Sequence, residues 1–154
     1  MATLTSNPNV CVVGGCGHVG LPLAVVFAST GLTVTSFDVN EDAVIQTNSG
    51  KVPFLESGLD EALRDELKSG RFSATSDPTS VSQADVVVVV IGTPVDKHLN
   101  PDPISIRKVF ENLDGYLKNG QLIVLRSTIY PGVTKSIEGF LAEKNLDVYI
   151  AFCP

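Results

Sequence analysis

The sequence has no apolar run near the roughly 18 residues that a membrane-spanning helix needs; its longest, ADVVVVVIG, is the length of a strand. Its first residues, MATLTSNPN, lack the basic region and apolar stretch of a signal peptide. Neither targeting nor membrane attachment is expected, and the expected location is the cytoplasm. Basic charge is scarce too: 11 Lys and Arg stand against 17 Asp and Glu, a net charge of −6, and they form no cluster. Nothing here offers an electrostatic footprint for a nucleic acid or an anionic membrane. Cysteine is rare. Cys11, Cys16 and Cys153 make an odd number without C-x-x-C spacing, which argues against a disulfide framework and against a zinc site, and fits a reducing compartment. Cys11, within a strand pattern, is expected to be a small buried residue, and Cys16, inside a glycine loop, to be partly exposed; a catalytic role is expected of neither. Internal repeats, low-complexity segments and interdomain linkers are absent from the sequence as well.

What the chain does have is alternation. Its 154 residues are the size of one domain, and 44% are apolar against 18% charged, so a compact fold with a real core is expected. NVCVVG, LTVTSFD, RFSAT, ADVVVVVIG, QLIVLRS and DVYIAF read as strands. Between them HVGLPLAVVFAST, NEDAVIQTNSG, LDEALRDELKSG, ISIRKVFENLDGYLKNG and VTKSIEGFLAEKN read as helices, the third amphipathic through Leu59, Leu63 and Leu67 with Gly70 as its stop. ADVVVVVIG is apolar at consecutive positions, as a central parallel strand covered on both faces would be. Strands joined by crossovers long enough to hold helices predict an α/β fold. It is a doubly wound parallel sheet of about six strands, of the Rossmann type, in a single domain.

The first strand runs into Gly15, Gly17 and Gly20, a G-x-G-x-x-G triplet, and then into a helix. Alone, such a triplet is either a tight turn or a phosphate site: one glycine turns the chain, one lets backbone approach a pyrophosphate, one lets helix pack on strand. The anion then rests on N–H groups at the positive end of the helix. Asp38, 18 residues past the last glycine at the end of the second strand, stands about where an acid for the adenosine ribose belongs. A carboxylate there accepts from the 2′- and 3′-hydroxyls and repels a 2′-phosphate, which favours NAD over NADP. A plainer role for Asp38 is to cap the next helix. A methyltransferase is the rival for a glycine loop followed by an acid; the tightness of GGCGHVG and the loops after the fourth and fifth strands count against it.

Those loops carry a family resemblance. GGCGHVGLPLA, SFDVN, GKVPFLESGLDEAL, VVVIGTPVD, RSTIYPGVT and the terminal AFCP together resemble the N-terminal NAD-binding domain of the UDP-glucose/GDP-mannose dehydrogenases, in order and spacing over nearly the whole chain. GTPVDKHLNPD and STIYPG most resemble the UDP-N-acetyl-mannosamine dehydrogenases. The resemblance implies an NAD-dependent oxidoreductase of polysaccharide biosynthesis that takes C6 of a UDP-sugar from alcohol to carboxylate with two NAD. It implies that Gly15, Cys16, Gly17, His18, Val19 and Gly20 hold the pyrophosphate and Asp38 the ribose. Thr93 and Pro94 would line the adenine-to-ribose side, with Ser127 and Thr128 near the nicotinamide. Thr128 would help place the water or base used in the oxidation; the alternative is a hydroxyl capping the helix near Val133. PFLESGL would lie near the substrate entrance, although a surface turn explains Pro53 and Gly58 equally well. His18 replaces a tyrosine of many members and is expected to decorate the helix start, His98 to be solvated. Ala43 stands where many relatives carry an arginine over the adenine.

The resemblance further implies that residues 1–154 are the NAD-binding domain alone. The family's glutamate past the CP motif, its dimerising helical region and its UDP-binding domain with the nucleophilic cysteine would lie outside the chain. By itself the chain is then expected to be inactive, with the UDP-sugar held mostly by the other domains and the full-length protein a homodimer or larger. Two alternatives are a stand-alone dinucleotide-binding module and the first domain of another NAD enzyme, such as a 6-phosphogluconate or 3-hydroxyacyl-CoA dehydrogenase.

Overall fold

The computed structural model describes residues 6–90, 92, 103–127 and 132–153, with the backbone alone at 103–105. Its elements run β1 (Asn9–Val13), α1 (Gly20–Ser29), β2 (Thr33–Phe37), α2 (Glu41–Asn48), α3 (Leu59–Ser69), β3 (Phe72–Thr75), α4 (Thr79–Gln83), β4 (Val86–Val89), α5 (Pro103–Asn112), β5 (Leu122–Leu125), α6 (Val133–Glu143) and β6 (Tyr149–Phe152). The six strands form one sheet in the order β3-β2-β1-β4-β5-β6, every pair parallel. The order reverses between β1 and β4, so their carboxyl ends diverge into crossovers on opposite faces and leave a crevice between them.

Strand side chains alternate between two cores. Val10 and Val12 of β1 pack with Leu21, Ala24 and Val25 of α1 and Leu59 and Leu63 of α3. Cys11 and Val13 point the other way, toward Val81 of α4, Phe110 of α5 and Ile137 and Leu141 of α6. The coverage is uneven. Beyond α1, Val86 and Val88 of β4 and Val124 of β5 line an apolar groove of about 420 Å³ with Leu23, Phe27 and Cys153. β4 is thus buried fully on one face and only partly on the other.

The expected elements are present with two differences. One is an additional helix, α4, whose five residues hold a single buried apolar side chain, Val81. Gln121 fixes it: the buried amide nitrogen donates to the carbonyls of Val81 and Ala84, both at 2.8 Å, while its oxygen accepts from the Lys118 N–H at 2.8 Å. Those contacts satisfy the Ala84 carbonyl just past the helix and give the Val81 carbonyl a second donor beside the Ala84 N–H, which lies at 3.3 Å. The other is the length of α5, which stops at Asn112 rather than running to the Asn119–Gly120 turn; Gly115 adopts φ +86, outside the helical region. Gly70 ends α3 in the left-handed region, as its position predicted. Among the described residues no helix is long and apolar enough to cross a membrane.

Candidate functional site

The turn after β1 is stitched to the end of β2. Gly14 and Gly15 both donate their N–H to the Phe37 carbonyl, at 2.9 and 3.2 Å, and the Val90 N–H donates to the Val13 carbonyl at 2.8 Å. Positive φ, expected of the triplet, falls instead on the preceding residue, Gly14 (φ +76). The triplet glycines are needed for space. A Cβ on Gly15 would lie 2.6 Å from Ser36 Oγ and from the Val12 carbonyl oxygen, and one on Gly20 would lie 2.2 Å from the Gly14 carbonyl oxygen. These two permit the turn to pack on β2 and α1 to pack on the turn. Gly17 is different: the nearest atom to its would-be Cβ is 3.5 Å away, and it lines an open cleft. The N–H groups of His18, Val19 and Gly20 find no acceptor among the described residues, and they head α1, whose N-cap residue Val19 supplies no side-chain cap.

Asp38 follows β2 and is half-buried. Its Oδ2 accepts from the Cys16 N–H at 3.1 Å and its Oδ1 from the Asn40 N–H at 3.0 Å. One amide per oxygen fixes the carboxylate and leaves lone pairs on both oxygens free to accept again. The cap of α2 is Asn40, whose side chain accepts from the Ala43 N–H at 3.1 Å. Cys16, expected to be partly exposed, is 2% exposed, because the same turn that aims its N–H at Asp38 drives its thiol toward Thr47. Burial pushes that thiol up to about 11, the Thr47 hydroxyl acting against it and the Asp38 charge with it. Cys11 is buried in β1 and is pushed up to about 12 by burial. Both remain neutral thiols near pH 7.

The cleft, about 320 Å³, opens at the carboxyl ends of β1, β2 and β4, lined by Gly17, Asp38, Val39 and Gly92 and walled by Val109, Asn112 and Leu113 at the end of α5. Among its described lining residues none is Lys or Arg. Of the residues expected to act together, the structure brings Gly17 and Asp38 to one cleft and Cys16 beneath them. His18 and Val19 are exposed beside it. Ser127 is buried after β5, its hydroxyl 3.5 Å from the Val89 carbonyl. Thr93, Pro94, Thr128 and His98 lie outside the described residues. Val39, Val109, Asn112 and Leu113 were not anticipated; the last three recur at helical spacing, which is the one sequence signal they carry.

The family model for the UDP-glucose/GDP-mannose dehydrogenase family, NAD binding domain, matches residues 8–154. The chain belongs to that family. It is 33% identical over 149 residues to the UDP-N-acetyl-D-mannosamine dehydrogenase of Methanococcus aeolicus, covering 94% of this chain and 33% of that protein. To the enzyme of the same name from Campylobacter jejuni it is 34% identical over 141 residues, covering 90% and 33%. Among solved structures, the GDP-mannose dehydrogenase of Pseudomonas aeruginosa superposes with a TM-score of 0.84 at 27% identity, covering 93% of this chain and 35% of that one. The UDP-N-acetyl-mannosamine dehydrogenase Cap5O of Staphylococcus aureus gives 0.85 at 26% identity, covering 95% and 36%. The chain thus spans about a third of the length of these relatives.

The cofactor of this NAD-binding domain is NAD, and the residues present fit it. Gly17 keeps open a space that a side chain would enter, amides with no acceptor among the described residues head α1, and a carboxylate stands across the cleft with accepting capacity to spare.

Proposed function

We propose that the chain is the cofactor half of a nucleotide-sugar 6-dehydrogenase acting on a UDP-sugar, with UDP-N-acetyl-mannosamine as the leading candidate from the names its relatives carry. In this reading the N–H groups of His18, Val19 and Gly20 hold the pyrophosphate over Gly17, and Asp38 accepts from the adenosine ribose hydroxyls. Thr93 and Pro94 continue the adenine-to-ribose side; Ser127 and Thr128 flank the nicotinamide, with Thr128 helping to place a water or base. NAD, when bound, supplies the hydride acceptor. The rest of the protein supplies the sugar-binding surface and the nucleophilic thiol, a role that the buried Cys11 and Cys16 are unsuited to. The longer protein is then a homodimer or larger assembly in the cytoplasm that makes uronic acid units for polysaccharide.

The observation that carries this reading is the Asp38 carboxylate, held by the Cys16 N–H of the glycine turn at 3.1 Å. Glycine turn and acid are one unit, set for a single ligand. Calorimetric titration of NAD and NADP tests it. NAD is expected to bind on the order of tenfold tighter or more, because a 2′-phosphate would face a carboxylate, and Asp38→Asn is expected to close most of that gap. Equal affinities in the unaltered chain would contradict the ribose role.

A further inference from the structure

We infer that Phe54 is a positioning residue for the phosphate-binding turn and acts through His18. The inference rests on the NAD reading above. The two rings stack with centroids 4.2 Å apart and planes inclined by 21°. His18 is exposed, one residue past the cleft-lining Gly17, and its N–H is one of those without an acceptor among the described residues. Phe54 is half-buried against the core under α1 and α3.

The segment that carries Phe54, residues 51–58, is fastened at both ends. The Lys51 N–H donates to the Gln46 carbonyl at 3.1 Å and the Leu59 N–H to the Glu56 carbonyl at 3.3 Å. Asp60 Oδ1 accepts from the Val52 N–H at 3.0 Å, and Arg64 Nε donates to the Gly50 carbonyl at 3.3 Å. Phe54 is therefore a fixed platform. The turn it touches is the opposite: Gly17 lends it backbone freedom, and a freely moving amide holds an anion less well than one already aimed. Stacking His18 on a ring anchored in the core restrains the turn where its free N–H groups lie. Leu55, next in the chain and fully exposed at 103%, provides a control within the same loop.

A double-mutant cycle on NAD affinity tests the coupling, with thermal denaturation run on every variant. His18→Ala and Phe54→Ala are each expected to weaken NAD binding about 2- to 10-fold, the range of an aromatic pair, and the double variant to be no weaker than the weaker single. His18→Phe and Phe54→Tyr keep the stack and are expected to stay within about twofold of the unaltered chain; Leu55→Ala is expected to match it. His18 is exposed, so its variants report even if Phe54→Ala loses structure. Additive singles, or a His18→Phe as weak as His18→Ala, would overturn the inference while leaving NAD binding intact. Failure of the unaltered chain to bind NAD would overturn the cofactor reading and this inference together.

Discussion

At Gly20 the place of a Cβ lies 2.2 Å from the Gly14 carbonyl oxygen, whereas at Gly17 that same oxygen is 3.5 Å away. The first distance demands backbone movement; the second is ordinary contact. Gly20→Ala is therefore expected to destabilise the domain by about 1–3 kcal/mol or more, the range of overpacked sites. Gly17→Ala is expected to leave the melting temperature nearly unchanged and to lower NAD affinity. Thermal denaturation beside NAD titration separates the two, and equal losses of stability would show that Gly17 is a packing residue too. The spacing of the triplet was plain in the sequence. A division of labour was expected as well, with one glycine for the turn, one for backbone approach to an anion and one for helix packing. The atoms that crowd Gly15 and Gly20, Ser36 Oγ and the Gly14 carbonyl, were not legible, because they meet these glycines only after the turn has packed on β2. The burial of Cys16 was hidden for the same reason: its thiol is covered from Thr47, 31 residues along the chain.

Within β5, neighbouring side chains face unlike surroundings. Leu125 is 1% exposed in the core under α5 and α6, while Leu122, paired with Val86, is only half-buried on the groove side. Leu125→Ala is expected to cost about 2–5 kcal/mol and Leu122→Ala less than half as much, since less of its surface leaves water on folding. Urea denaturation of both variants measures this, and equal costs would mean that the groove face is as well covered as its opposite. Strands were legible because short apolar runs bounded by turn residues mark them directly. Two helices show where that legibility ends. TSVSQ is too short to display a helical period, and α4 depends on Gln121, a partner 40 residues from Val81. Leu113 and Leu117 continue the apolar spacing of α5 past its true end, which the turn at Gly115 sets.

For the whole molecule, the order β3-β2-β1-β4-β5-β6 turns a local motif into a site. It brings the glycine turn beside the end of β2, and it places the end of α5 across from both. The near half of the cleft was readable because the turn and its acid obey a fixed spacing. The far wall, Val109, Asn112 and Leu113, was not, since no local pattern ties α5 to residues 70 or more positions earlier. The most direct measurement of the central claim, that NAD occupies this cleft, follows backbone amide resonances of the ¹⁵N-labelled chain during NAD titration. His18, Val19, Gly20, Val39 and Asn112 are expected to shift together and saturate, while Phe27, Val124 and Cys153 in the apolar groove hold still. Shifts confined to the groove, or none at the glycine turn at saturating NAD, would contradict it.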